Sequence, residues 1–63
     1  SIDVHSLEQE KEKLEASILR RSKLLENSNY VQKAPQNIVD LDRAKLQEEK
    51  EKLANIKEQL KKA

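Results

Sequence analysis

Apolar residues return along this chain at alternating steps of three and four, first through Val4, Leu7, Leu14, Ile18 and Leu25, then through Val39, Leu46, Leu53, Ile56 and Leu60. That spacing lays one narrow apolar stripe along each of two α-helices, which is the pattern of a coiled-coil seam. The period is broken once, at Asn27-Ser28-Asn29-Tyr30-Val31-Gln32-Lys33-Ala34-Pro35. Two stripes and one break predict an all-α fold, an antiparallel two-helix coiled-coil hairpin over residues 1–63. Helix one is expected over about 3–26, the tip loop over about 27–34 and helix two over about 35–61. Asp3 can cap the first helix, and Asn27 can end it in the left-handed conformation. Pro35 suits a first helical position and pushes Ala34 before it out of helical geometry, while Ser28 to Lys33 can take a short helical turn of their own.

The stripes are not purely apolar, and the exceptions bear on how the helices pair. With Val4, Lys11, Ile18 and Leu25 as one seam position and Leu7, Leu14 and Arg21 as the other, Lys11 and Arg21 intrude on helix one, and Asp42 and Glu49 intrude on helix two. A register centred on Tyr30 pairs Val4 with Ile56, Leu7 with Leu53, Lys11 with Glu49 and Leu14 with Leu46, so that opposite charges meet. The same register sets Ile18 against Asp42 and Arg21 against Val39, and it therefore fails near the tip. There, too, apolar residues exceed what a seam can hold: Leu19, Leu24, Ile38 and Leu41 lie off the stripes, and Tyr30 and Val31 are added by the break. Either the loop folds over them as a miniature core, or some stay on the surface as a platform for a partner.

Composition narrows the fold further. Sixty-three residues with one aromatic side chain, 35% hydrophobic and 40% charged, cannot fill a globular core but suit a long helical object. Seam burial alone falls short of the ordering cost, so the isolated hairpin is expected to be marginal, monomeric and steadied by a parent protein. There is no Cys, hence no disulfide or thiolate metal site, and no apolar run approaches the roughly 20 residues of a membrane span. A soluble, cytoplasmic protein without a membrane partner is expected. Ser1 stands directly before a helix with no initiator Met, which reads as a fragment of something longer.

Net charge is only +1, yet the charges are graded along the rod. Residues 3–15 carry Asp3, Glu8, Glu10, Glu12 and Glu15 against Lys11 and Lys13, whereas residues 20–33 carry Arg20, Arg21, Lys23 and Lys33 against Glu26 alone. Arg43 and Lys45 add to the same tip-side half. A basic end on a balanced rod points to an anionic partner such as nucleic acid, against the plainer reading of a solvated helix face. The candidate RNA-binding residues are Arg20, Arg21, Lys23, Lys33, Arg43, Lys45 and Tyr30, although Tyr30 also reads as a packing residue. His5 is the single histidine and has no second ligand near it in sequence, and no nucleophile elbow, glycine-rich phosphate loop or metal box is present. No catalytic, cofactor-binding or metal residue is expected in these residues.

The stretch Lys23-Leu24, Asn27, Tyr30-Val31, Lys33-Ala34-Pro35, Ile38-Val39, Arg43 and Lys45-Leu46 resembles the C-terminal coiled-coil arm of valyl-tRNA synthetases, and Ile2-Asp3-Val4 resembles that family's link into the arm. Tyr30 stands where the family more often has Phe, and the family's catalytic signatures, HIGH and KMSKS, are absent. The resemblance implies an auxiliary tRNA-binding arm that contacts the outer corner of tRNA(Val), where the D and T loops meet, in support of aminoacylation. It further implies a parent ATP-dependent ligase, with catalytic and anticodon-binding domains in the same chain; ATP belongs to those domains and no cofactor to this one. The alternative is a structural or protein-interaction hairpin, such as the terminal arm of a ribosome-associated ATPase. A seryl-tRNA synthetase arm has a similar composition, and the Lys33-Ala34-Pro35 context favours the valyl arm over both.

Overall fold

The first helix begins where an aspartate can hold its free N–H groups. In the computed structural model, which describes residues 3–63, Asp3 Oδ1 accepts the Ser6 N–H at 3.2 Å and Oδ2 accepts the Ser6 hydroxyl at 2.8 Å. These bonds, the hydroxyl's foremost, hold the Asp3 carboxyl below its ordinary range. Ser1 and Ile2 lie outside the described residues, and with them the Ile2 of the Ile2-Asp3-Val4 stretch. Helix α1 then runs Val4–Glu26.

Asn27 ends α1, but not in the left-handed conformation expected of it. Its backbone is extended, with φ −78° and ψ 106°, and no described residue has a positive φ. The reason is a second duty: Asn27 Oδ1 accepts the N–H groups of Asn29 at 3.0 Å and Tyr30 at 3.3 Å, which caps a short helix α2, Ser28–Lys33. An N-cap residue requires extended backbone, and that requirement overrides the left-handed ending. Helix α2 closes on Ala34, whose N–H donates to the Tyr30 carbonyl at 2.8 Å. Ala34 is extended, as a residue before proline is pressed to be. Pro35, with φ −55° and ψ 139°, is not the first helical residue expected of it but the N-cap of α3, Gln36–Lys62, its carbonyl accepting from the Ile38 and Val39 N–H groups at 3.0 and 3.2 Å.

Helices α1 and α3 pack side by side in a rod 46 Å long and about 15 by 13 Å across, with α2 folded against the end of α1. The seam residues shielded on α1 are Leu7, Lys11, Leu14, Ile18, Arg21 and Leu25, with Ser17 and Ser22 half-covered beside them, and those on α3 are Val39, Asp42, Leu46, Glu49, Leu53, Ile56 and Leu60. Both sets step by three and four, from Leu7 to Leu25 and from Val39 to Leu60, so the covered seam is a heptad seam; Val4, expected on the same stripe, is 41% exposed and lies outside it. In heptad letters, Lys11, Ile18, Leu25, Val39, Leu46, Leu53 and Leu60 occupy a, and Leu7, Leu14, Arg21, Asp42, Glu49 and Ile56 occupy d. Most of these side chains keep an edge in water, as expected of a two-stranded rod. Only Val39, fully buried near the tip, and Ile56, 5% exposed toward the base, are core residues among those described. Full burial of such a side chain is worth roughly 1.5–3 kcal/mol.

The observed register differs from one centred on Tyr30. Glu49 does not meet Lys11; it bonds to Ser17 and Arg21, the residues on either side of Ile18, one heptad farther along α1. The cause lies at the tip. Because α2 is folded against α1, the chain reverses at Ala34 and Pro35, past Tyr30, and α3 slides by a heptad relative to a reversal shared evenly by the break. Arg21 thereby faces Asp42 and Glu49 instead of Val39. The surplus apolar residues divide as well. Tyr30 and Val31 are half-buried under the tip, whereas Leu19, Leu24, Ile38 and Leu41 stay exposed.

Candidate nucleic-acid interface

An arginine at a seam position must bring its countercharges with it. Arg21 Nη1 donates to Glu49 Oε1, and its Nε stands 3.8 Å from Asp42 Oδ1, so one guanidinium serves both acids of the α3 seam. The second acceptor of each carboxylate is taken by a hydroxyl: Ser17 Oγ donates to Glu49 Oε2 at 2.5 Å, and the Tyr30 hydroxyl donates to Asp42 Oδ2 at 2.6 Å. All three helices thus meet in one polar cluster, and among the described residues no buried side-chain polar atom lacks a partner. The Arg21, Asp42 and Glu49 side chains are only about a fifth exposed. At that depth unpaired charge is costly, which makes the cluster specific for this register.

The titrations follow from these contacts. The Ser17 hydroxyl, then Arg21 with Arg20 nearby, hold the Glu49 carboxyl below its ordinary range in spite of partial burial. Tyr30 is shifted upward, because losing its proton would break the bond to Asp42 and set two negative charges against each other.

The seven candidate RNA-binding residues therefore fall into two groups. Arg21 and Tyr30 are half-buried and engaged with Asp42 or Glu49. Arg20, Lys23, Lys33, Arg43 and Lys45 are exposed, and among the described residues none of them forms an ion pair. Lys52, toward the lower half, lies 3.6 Å from Glu48 one turn away. Free cations on the tip-side half can neutralise phosphates without first breaking a bond within the protein. An open groove beside the seam, lined by Arg21, Lys45, Glu48, Glu49 and Lys52, carries both signs and is no anion cradle. Among the described residues no cluster of His, Cys, Asp and Glu could hold a metal ion, and no helix is long and apolar enough to cross a membrane.

The sequence named the cations but not the polar cluster. Its signal was nevertheless present: acids at consecutive d positions of α3, one arginine at d on α1, and a tyrosine hydroxyl entering from the break. Ser17 alone carried no mark that separates it from any surface serine.

Residues 3–63 match the family model described as the valyl tRNA synthetase tRNA binding arm. Similar curated proteins include a valine-tRNA ligase of a Nitratiruptor species, 42% identical over 57 residues, covering 90% of this chain and 6% of the relative. The valine-tRNA ligases of Clostridium acetobutylicum and Clostridium perfringens are 36% and 41% identical over 58 residues, in each case 92% of this chain and 7% of the relative. The chain thus spans a small fraction of the length of the relatives it matches. No solved structure matches it.

Proposed function

Since the chain belongs to the family of valyl-tRNA synthetase tRNA-binding arms, we propose that its tip binds the outer corner of tRNA, where the D and T loops meet, and so supports aminoacylation of tRNA(Val) by a larger cytoplasmic valine-tRNA ligase. The observation that carries the reading is that Asp42 and Glu49 are answered within the seam by Arg21, Tyr30 and Ser17, which leaves Arg20, Lys23, Lys33, Arg43 and Lys45 on the tip-side half exposed and outside any ion pair among the described residues. A tRNA corner presents phosphates from two strands to an approaching rod, and a hairpin 46 Å long can carry its cations well away from a catalytic body. Arg21 and Tyr30 act one step back: they hold α1, α2 and α3 in the register that presents the free cations.

The chemistry of ligation lies elsewhere in this reading. ATP and valine belong to the catalytic domain of the parent, its anticodon-binding domain lies in the same chain, and the hairpin works as a monomer that adds affinity for tRNA. Titration with intact tRNA and with a minihelix that lacks the corner tests the proposal. Binding to the intact molecule with a marked loss on the minihelix is expected; equal binding to both would contradict contact at the corner.

A further inference from the structure

A coiled-coil seam repeats every heptad, so sliding one helix past the other by that length returns each a and d residue to a seam position. What ordinarily forbids the slide is the charge of particular layers. Here the charged layers permit it. Asp42 and Glu49 stand one heptad apart on α3, at consecutive d positions, and Glu49 bonds to Ser17 and Arg21 on either side of Ile18. Moving α3 toward the base by one heptad, about 10 Å at the helical rise, sets Asp42 where Glu49 now stands and brings Glu49 opposite Lys11.

Lys11 gains a partner by this move. It is half-covered at an a position of α1, yet among the described residues it forms no ion pair. The slid register gives it Glu49, leaves Ser17 and Arg21 with Asp42, and keeps the apolar layers apolar: Leu7 exchanges Leu60 for Leu53, and Leu14 exchanges Leu53 for Leu46. Val4, exposed in the observed register, comes opposite Ile56. Two features of the tip oppose the slide. One is the bond from the Tyr30 hydroxyl to Asp42, which must break; the other is the complete burial of Val39, which the slide sets against Arg21.

We infer that the hairpin is a two-register rod, in which α3 slides by one heptad along α1 between the observed register and a minor one, with Tyr30 as the latch on the first and Lys11 as the receiving charge of the second. The slide carries Arg43 and Lys45 past Arg20 toward the base, so the spacing of the cations near the tip and the height of α3 at the base change together. A seam with two discrete arrangements passes a displacement from one end of the rod to the other without unfolding. The inference goes beyond the tRNA-binding reading and stands or falls independently of it.

Cysteine trapping tests it cleanly, because the chain has no Cys of its own. The pair Leu14→Cys, Leu53→Cys belongs to the observed register and Leu14→Cys, Leu46→Cys to the slid one; Leu14→Cys, Val39→Cys, a further heptad away, belongs to neither and closes only through unfolding. Under mild oxidation of the dilute chain, closure within one molecule is followed by mass. The observed pair should close fastest, and the slid pair about tenfold or more faster than the third. Measured against that third pair, Tyr30→Phe should speed the slid pair about tenfold by removing a hydrogen bond to a charged group, and Lys11→Gln should slow it about threefold. Should the Leu14 variants fold poorly, Leu7→Cys with Leu60→Cys, Leu53→Cys or Leu46→Cys repeats the comparison nearer the base. Closure of the slid pair no faster than the third, or a rate indifferent to both Tyr30→Phe and Lys11→Gln, would overturn the inference.

Discussion

The Tyr30 hydroxyl donates to Asp42 Oδ2 at 2.6 Å and ties the tip helix α2 to the first turns of α3. Asp42 receives Arg21 on its other oxygen, so a residue from each helix converges on one carboxylate. With Tyr30 the sole aromatic side chain, this contact can be followed without interference. The phenol is shifted above its ordinary value of 10.0 in the folded chain, so the stability it contributes is present below about 10 and is lost as pH rises through the shifted value. Phenolate absorbance should show titration above that of the unfolded chain, and Asp42→Asn should bring it down. An unshifted titration would mean that the bond does not persist in solution.

Glu49 gives the complementary effect at acid pH. Its folded-state pKa lies below 4.5, so its contribution is complete above the unfolded value and is lost as pH falls from about 4.5 through the folded one. Thermal melts over that window should show a loss of stability that Glu49→Gln reduces. Identical pH profiles for the two proteins would contradict the contacts assigned to Glu49.

The link between Arg21 and Glu49 should be measurable as a coupling. Glu49→Ala alone is expected to cost about 1–3 kcal/mol, because it leaves the partly buried guanidinium half-answered. The same substitution in an Arg21→Ala background should cost far less, since the charge it answers is gone. Additive losses in a double-mutant cycle would show that the two side chains do not interact.

Asn27 is a cap rather than a left-handed stop, and the two roles respond oppositely to substitution. Asn27→Ala should lower stability by about 1 kcal/mol, and Asn27→Asp should preserve it. Asn27→Gly should cost less than Ala does but should not stabilise, as it would if a positive φ were required. Melting temperatures of the three variants decide between the roles.

Much of this fold is legible in the heptad alone. The a and d positions from Leu7 to Leu25 and from Val39 to Leu60 are all shielded, and Leu19, Leu24, Ile38 and Leu41 stand out as surplus because they break that period. Register is less legible. Lys11 and Arg21 are both plausible partners for Glu49, and the choice rests on where the chain reverses, which depends on Asn27 capping a six-residue helix within the break. A cap of that kind is a local bond worth about 1 kcal/mol, yet it moves the pairing by a heptad. The candidate cations were legible by charge. Which of them are free was not, since freedom depends on the register.

The most direct test of tRNA recognition by the tip compares charge reversal at its two ends. Arg20→Glu with Lys45→Glu should lower tRNA affinity sharply and flatten the dependence of log Kd on log salt by about one to two units, whereas Lys61→Glu with Lys62→Glu should change both much less. Both proteins should keep the helical spectrum, because none of these side chains forms an ion pair among the described residues. Equal losses from the two reversals would show a diffuse attraction along the whole rod and would contradict recognition by the tip.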